Sequence, residues 1–289
     1  MRTPPPALLV TADVEIAHDR GIKEQADAIW RLGSELTLFP TTWFCTADAA
    51  ELFAEPLRAL AQAGHTIGCH GLNHGAWEDY RRLSPSCAMQ TLRNATDRIE
   101  TALGVKPRVF RGPRMTTSAA THSALRALGY LADFSVCAWR FDFMAASCFN
   151  WRWLAMGPAT YCPTHEDPFL SVGRPVAGEL AVVPLSGLGV PFVSGVVYLL
   201  GEKPMMGMAQ AMLKIASRAN PPIVYLFHSY EFVDIAGSID HRPTHQRFYP
   251  TFAEDRYRIN LRFLTKLRLE LGLKPITADN YLGMITDAS

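Results

Sequence analysis

Residues 7–15, ALLVTADVE, constrain this chain more than any other stretch, because an apolar, β-branched run stops abruptly at two carboxylates, Asp13 and Glu15. Such a run reads as a buried strand that delivers acids at its C-terminal end, where barrel enzymes place their active sites. The rhythm then repeats. Residues 25–36 carry helical spacing through Ala28, Ile29 and Leu32, and residues 36–45 (LTLFPTTWFC) read as the next strand, interrupted by Pro40. A helix over 49–63 is stopped by Gly64, and the short strand HTIGC over 65–69 runs into His70. Ser84 and Pro85 open an amphipathic helix that Gly104 ends; a strand over 108–110 stops at Arg111, and a helix over 117–128 stops at Gly129. Residues 135–178, rich in Trp, Phe, Pro and Cys without a clear period, read as irregular connections shaping a pocket wall. Strands are expected over 180–184, 195–200 and 223–227, and helices over 205–219 and 252–271. With no internal repeat or linker-like composition, one domain over residues 1–289 is the expectation.

Composition narrows the function. The chain has 289 residues, 48% hydrophobic, enough to bury a substantial core, and its 28 basic and 27 acidic residues leave a net charge of +1 without long single-sign runs. Nucleic acid and anionic membrane surfaces are therefore not expected partners. The six cysteines are scattered without a C-x-x-C pair and read as free thiols. The N-terminus does not resemble a signal peptide, which gives a cytoplasmic expectation. Residues 181–200 carry no charge and have the length of a membrane span, but Pro184, Pro191 and the glycines suit two short buried strands and a turn instead.

The chemistry lies in two short motifs. His70-Gly-Leu-Asn-His74 spaces two imidazoles so that one helical turn would bring both to one face, close enough to hold a cation; two surface histidines at this spacing are the plain alternative. Asp13-Val-Glu15 shifts the balance, since residues two apart on a strand point the same way. A hydrolytic metal centre needs neutral and anionic ligands, an open position for water, and a nearby carboxylate to take the water's proton.

In the order of its motifs, the chain resembles the polysaccharide deacetylase (NodB-homology) family. The counterparts are Thr11-Ala-Asp13-Val-Glu15, Gly64-His-Thr-Ile-Gly-Cys-His70-Gly-Leu-Asn-His74, Phe110-Arg111-Gly-Pro113-Arg114, Gly129-Tyr-Leu-Ala-Asp133 and Tyr225-Leu-Phe-His228, spread over residues 8–230. The resemblance implies an α/β fold, a deformed (β/α) barrel, with Asp13 as general base, Glu15, His70 and His74 as ligands of one divalent ion, and His228 as the acid that protonates the departing amine. It implies further that Arg111 pairs with Asp13 and keeps it ionised, that Asp133 orients Arg111, and that Pro113 and Arg114 line the substrate site. Zinc is the default ion, and Co, Ni, Mn or Fe suit the same donors.

Two features depart from the common family pattern. Val14 separates acids that are usually adjacent, which leaves open an exchange of base and ligand roles between Asp13 and Glu15. Arg114-Met115 replaces the usual Tyr-Gly after the third motif, so the substrate is expected to differ from those of the chitin and peptidoglycan enzymes. The implied reaction is metal-dependent hydrolysis of the N-acyl group of an acetamido sugar or glycan in a cell-surface polysaccharide or glycolipid pathway. A deformylase of a lipid-linked amino sugar, a small cyclic amide hydrolase and a non-catalytic glycan-binding barrel are the alternatives. His65 reads as structural, and Cys69 faces away from His70 by strand alternation. His241 and His245 fall in a loop broken by Pro243. The Met-rich run 205–212 reads as core; if exposed with Trp139, Phe141, Phe143, Trp151 and Trp153, it would favour a lipid-linked substrate.

Overall fold

The computed structural model describes residues 6–16, 21–141, 150–216, 221–234 and 252–286. Its centre is β1 (Ala7–Val14), buried along its whole length. Burial on both faces is what a parallel strand flanked by helices requires, and it explains why residues 7–14 show no polar alternation. Through α1 (Ile22–Glu35), β2 (Thr41–Cys45), α2 (Ala47–Leu52), α3 (Ala54–Gln62) and β3 (Thr66–Cys69), the chain keeps the strand-helix alternation read from the sequence. It continues through α4 (Pro85–Leu103), β4 (Val109–Phe110), α5 (Ala119–Leu128) and β5 (Ala132–Asp133). The hairpin pairs β6 (Cys162–Pro163) with β7 (Ser171–Gly173) and β9 (Gly187–Leu188) with β10 (Val190–Pro191) flank β8 (Ala181–Val182). The chain ends with α6 (Ser194–Leu200), α7 (Glu202–Ile215), β11 (Ile223–His228), α8 (Ala253–Glu270), β12 (Lys274–Pro275) and α9 (Ala278–Thr286).

The main sheet runs β11-β1-β2-β3-β4-β5-β8, with β12 also on β1, and every pairing is parallel. Residues 186–193 span the opening between β8 and β11: Val224 N–H donates to Ser186 Oγ (2.9 Å), Leu226 N–H donates to Phe192 O (3.2 Å), and Val193 forms a parallel bridge with Leu226. The result is the deformed (β/α) barrel expected from the resemblance, with the C-termini of the main-sheet strands at one mouth.

Helix ends follow their sequence signals. Ser84 Oγ accepts from Cys87 N–H (3.2 Å) with Pro85 in the first turn, Ser118 Oγ accepts from Thr121 N–H (3.3 Å), and Gly104 and Gly129 close their helices with φ of 73° and 81°. Where structure and sequence reading differ, the causes are local. The expected helix over 49–63 breaks at Phe53, which places Pro56 in the first turn of α3, where its missing N–H is harmless. Residues 195–200 form α6 rather than a strand, because Val196 and Val197 bury one helical face while Leu199 and Leu200 stay largely exposed. Met205, Met206 and Met212 of α7 are buried in the core and Met208 packs partly buried against it, in line with the core reading of the Met-rich run. Trp153 is buried and Trp151 and Phe141 are exposed, whereas Phe143, Cys148, His241 and His245 lie outside the described residues. No helix among the described residues is long and apolar enough to cross a membrane.

Candidate metal centre and active site

Parallel pairing brings the polar strand ends together. The register of β1 sets Asp13 directly beside His228 of β11 on one side and Phe44 of β2 on the other. Glu15 follows β1, His70 follows β3 and Arg111 follows β4, so five of the expected site residues stand at neighbouring strand ends.

Glu15, His70 and His74 each present a ligand atom, and these atoms lie within 4.8 Å of one another. The donor set of two imidazoles and one carboxylate suits a divalent ion, since catalytic sites of this kind use three protein ligands and leave a fourth position to an exchangeable one. The tautomer of His70 fits as well. Its Nδ1 is 2.8 Å from the carbonyl oxygen of Arg111, which can only accept, so Nδ1 donates and the lone pair of Nε2 is left for a metal. His74 Nε2 lies 3.3 Å from Glu15 Oε2. Burial, reinforced by Arg114 and His228, holds the His74 imidazole below its usual pKa, and burial does the same for His70, so both favour the neutral form a ligand needs. The sequence reading erred in one respect: residues 70–80 are turns and loop, not helix, and His74 has a left-handed φ of 60°.

Asp13 is buried beside this triad. Arg111 Nη1 donates to its Oδ1 (2.7 Å), and its Oδ2 is 3.8 Å from His70 Nε2. Burial alone would raise the Asp13 pKa, but the charges of Arg111 first and then His228, with the Arg111 hydrogen bond, pull it below the ordinary carboxylate value, so the group stays ionised. Arg111 is itself fully buried, 4.3 Å over the Phe44 ring, and its Nη2 donates to Thr11 Oγ1 (3.0 Å).

The expectation that Asp133 orients Arg111 is corrected. The Asp133 carboxylate accepts from Ser135 N–H (2.9 Å) and Ser135 Oγ–H, and it pairs with His122 Nε2 at 2.8 Å, all of it buried. Its link to the site is indirect, since Ser135 Oγ accepts from Gly112 N–H (2.7 Å), next to Arg111. The guanidinium of Arg114, expected at the substrate, instead donates to the carbonyls of His74 (3.2 Å), Gly75 (3.0 Å) and Glu78 (3.1 Å). Pro113 is buried, with its ring close to Gly71.

The sequence reading missed Glu231. Fully buried, it accepts from both His228 N–H and His228 Nδ1 at 3.0 Å through Oε1. Burial would lower the His228 pKa, but Glu231, then Asp13 and Glu15, raise it to about 9, so the imidazole carries a proton at neutral pH. The i,i+3 spacing of His228-Ser-Tyr-Glu231 was the available signal, because a Glu three residues past a strand end can bond back to the N-cap. His65 is structural as expected: its Nδ1 accepts from Thr41 N–H (3.1 Å) and Trp43 Nε1–H (3.3 Å). Cys69 lies in the core.

Fold and site together define a parallel-barrel protein whose polar residues gather at the strand C-termini. Residues 13–132 match the polysaccharide deacetylase family model. A peptidoglycan deacetylase of Helicobacter pylori is 27% identical over 97 residues, which covers 34% of this chain and 32% of the relative, so the matched segment spans about a third of that protein. Among solved structures, a candidate polysaccharide deacetylase from Mycobacterium smegmatis aligns over 100% of this chain and 93% of its own, with a TM-score of 0.59 and 14% identity. A CE4 family pseudoenzyme from Bacillus anthracis aligns over 97% of this chain and 66% of its own, with a TM-score of 0.51 and 12% identity. At these identities the structural likeness establishes the fold alone.

Proposed function

We propose that the chain, as one catalytic domain, is a metal-dependent N-deacetylase of an acetamido sugar, with the substrate drawn from a cell-surface polysaccharide or glycolipid pathway. The observation that carries this reading is the placement, side by side in one strand register, of a carboxylate bonded to an arginine and an imidazole bonded to a carboxylate. Asp13, held ionised by Arg111, stands beside His228, held protonated by Glu231, with Glu15, His70 and His74 next to them. A base and an acid kept apart in pKa on either side of one site is the arrangement that amide hydrolysis requires.

Asp13 takes the proton from a water as that water attacks the acetamide carbonyl. Arg111 keeps the carboxylate oriented, with Thr11 fixing the guanidinium from its other side. His228 gives its proton to the nitrogen as the C–N bond breaks, so the sugar leaves as a neutral amine and acetate is the second product. A divalent ion on Glu15, His70 and His74, with zinc as the first choice, supplies Lewis-acid polarisation of carbonyl and water when bound.

The test is metal content by elemental analysis, followed by acetate release from a panel of N-acetylated sugars and glycans. About one divalent ion per chain, lost in Glu15→Ala and His74→Ala, with acetate released, supports the reading. Formate in place of acetate would move it to a deformylase. Glycan binding without metal or hydrolysis would make the chain a binding barrel.

A further inference from the structure

The two imidazoles do not share a helical face, so something other than helix geometry must hold His74 towards Glu15. The structure shows what surrounds its peptide. Glu78 is fully buried, and its Oε2 accepts from Asn73 N–H (3.0 Å) and His74 N–H (2.9 Å), while its Oε1 accepts from Leu72 N–H (2.5 Å) and Tyr80 Oη–H (2.8 Å). Three successive amides therefore converge on one carboxylate, a concave backbone nest filled by an anion from the same loop. Gly71 makes this approach possible: with φ of 80°, it lacks a Cβ that would lie 2.3 Å from Glu78 Oε1.

The carbonyl side is held by Arg114. Its Nη1 donates to His74 O and its Nη2 to Gly75 O and Glu78 O. Arg114 and Met115 have φ of 56° and 57°, and this left-handed pair sits in the turn from which Arg114 reaches residues 74–78. Such a conformation is strained for residues with side chains, and it persists where surrounding bonds over-determine it. His74, left-handed as well, thus has its N–H tied to Glu78 and its C=O tied to Arg114. The same Arg111–Arg114 segment supplies the carbonyl that fixes His70, so one turn braces both imidazoles.

We propose that Glu78 and Arg114 are positioning residues that set the metal affinity of the Glu15–His70–His74 site by fixing the His74 peptide from both sides. This inference rests on the metal reading above. It assigns Arg114 a role at the metal loop and asks nothing of the chemistry at Asp13 or His228.

The experiment measures the zinc dissociation constant by competition with a chromogenic chelator, in wild type, Glu78→Gln and Arg114→Met, with the thermal midpoint of each apo protein recorded alongside. Glu78→Gln keeps the volume but turns an N–H₂ donor on amides that can only donate. The expected result is zinc binding weakened about 10–100-fold in both variants, the usual effect of losing a residue that orients a ligand. At saturating zinc, turnover should return to near the wild-type level, which a general structural defect would not permit. Folded Glu78→Gln and Arg114→Met proteins that bind zinc as tightly as wild type would overturn the proposal. If Glu78→Gln does not fold, Arg114→Met decides alone. Wild type without zinc affinity sinks the metal reading itself, an outcome visible before any variant is compared.

Discussion

Glu231 Oε1 receives both the backbone N–H and the Nδ1 of His228, each at 3.0 Å, from a position only three residues further along the chain. One buried carboxylate thus sets the orientation of the imidazole and its charge. It also leaves Nε2 as the free, protonated nitrogen, which is the atom a general acid must present to a leaving group.

This predicts the alkaline limb of the activity profile. With the His228 pKa raised to about 9, kcat should be sustained through neutral pH and fall as the imidazole deprotonates near that value. Glu231→Gln removes the charge and should move the limb down towards the ordinary histidine range. The sign for stability follows from the same shift. The contribution of the pair is complete below about the ordinary value of 6.5 and is lost as pH rises through about 9. Urea denaturation across this window checks it, and an unmoved alkaline limb in Glu231→Gln would sink the assignment of His228 as the acid.

Asp13 and Arg111 should behave differently from each other. Asp13→Asn preserves shape and removes the base, so turnover should fall by roughly 10²–10⁴-fold. Arg111→Met strands a buried carboxylate and should lower stability by about 3–5 kcal/mol, since both side chains are almost wholly inaccessible. Thermal melting of the two variants, beside acetate release, separates a chemical from a structural loss.

On the proposed metal reading, removal of the ion should be reversible. Dialysis against a strong chelator is expected to abolish acetate release, and stoichiometric zinc to restore it, because most of the barrel core does not depend on the ion. Apo and reloaded samples with the same residual activity would contradict this.

Asp133 provides a contrast. Its partners are His122 and Ser135, so Asp133→Ala should cost about 1–3 kcal/mol through unsatisfied buried groups, with kcat reduced less than tenfold in the folded fraction. A stable Asp133→Ala protein as inactive as Asp13→Asn would return Asp133 to the catalytic set.

Met212 tests the core assignment of the Met-rich helix. Fully buried in α7, it should lose about 2–5 kcal/mol on replacement by Ala, read from chemical denaturation, with little effect on turnover of the folded enzyme.

The order of the strand ends that carry Asp13, His70, Arg111 and His228, and the helix stops at Gly104 and Gly129, were legible in the sequence. They depend on local signals: apolar runs that stop at Asp13, His70, Arg111 and His228, and Ser, Pro and Gly at helix ends. Only the tertiary structure decided the rest. The pairing of Asp13 with His228 joins residues 215 positions apart through strand register, which no local pattern encodes. The His70–His74 spacing suggested a helical turn, yet a buried Glu78 and the Arg114 guanidinium outcompete helical hydrogen bonding there and produce a braced loop. Residues 194–200 have strand-like composition but form a helix, because burial against neighbouring elements outweighs intrinsic preference over so short a run. Residue types and their order therefore determined which groups this protein brings to its site. Long-range pairing and burial decided which of them touch.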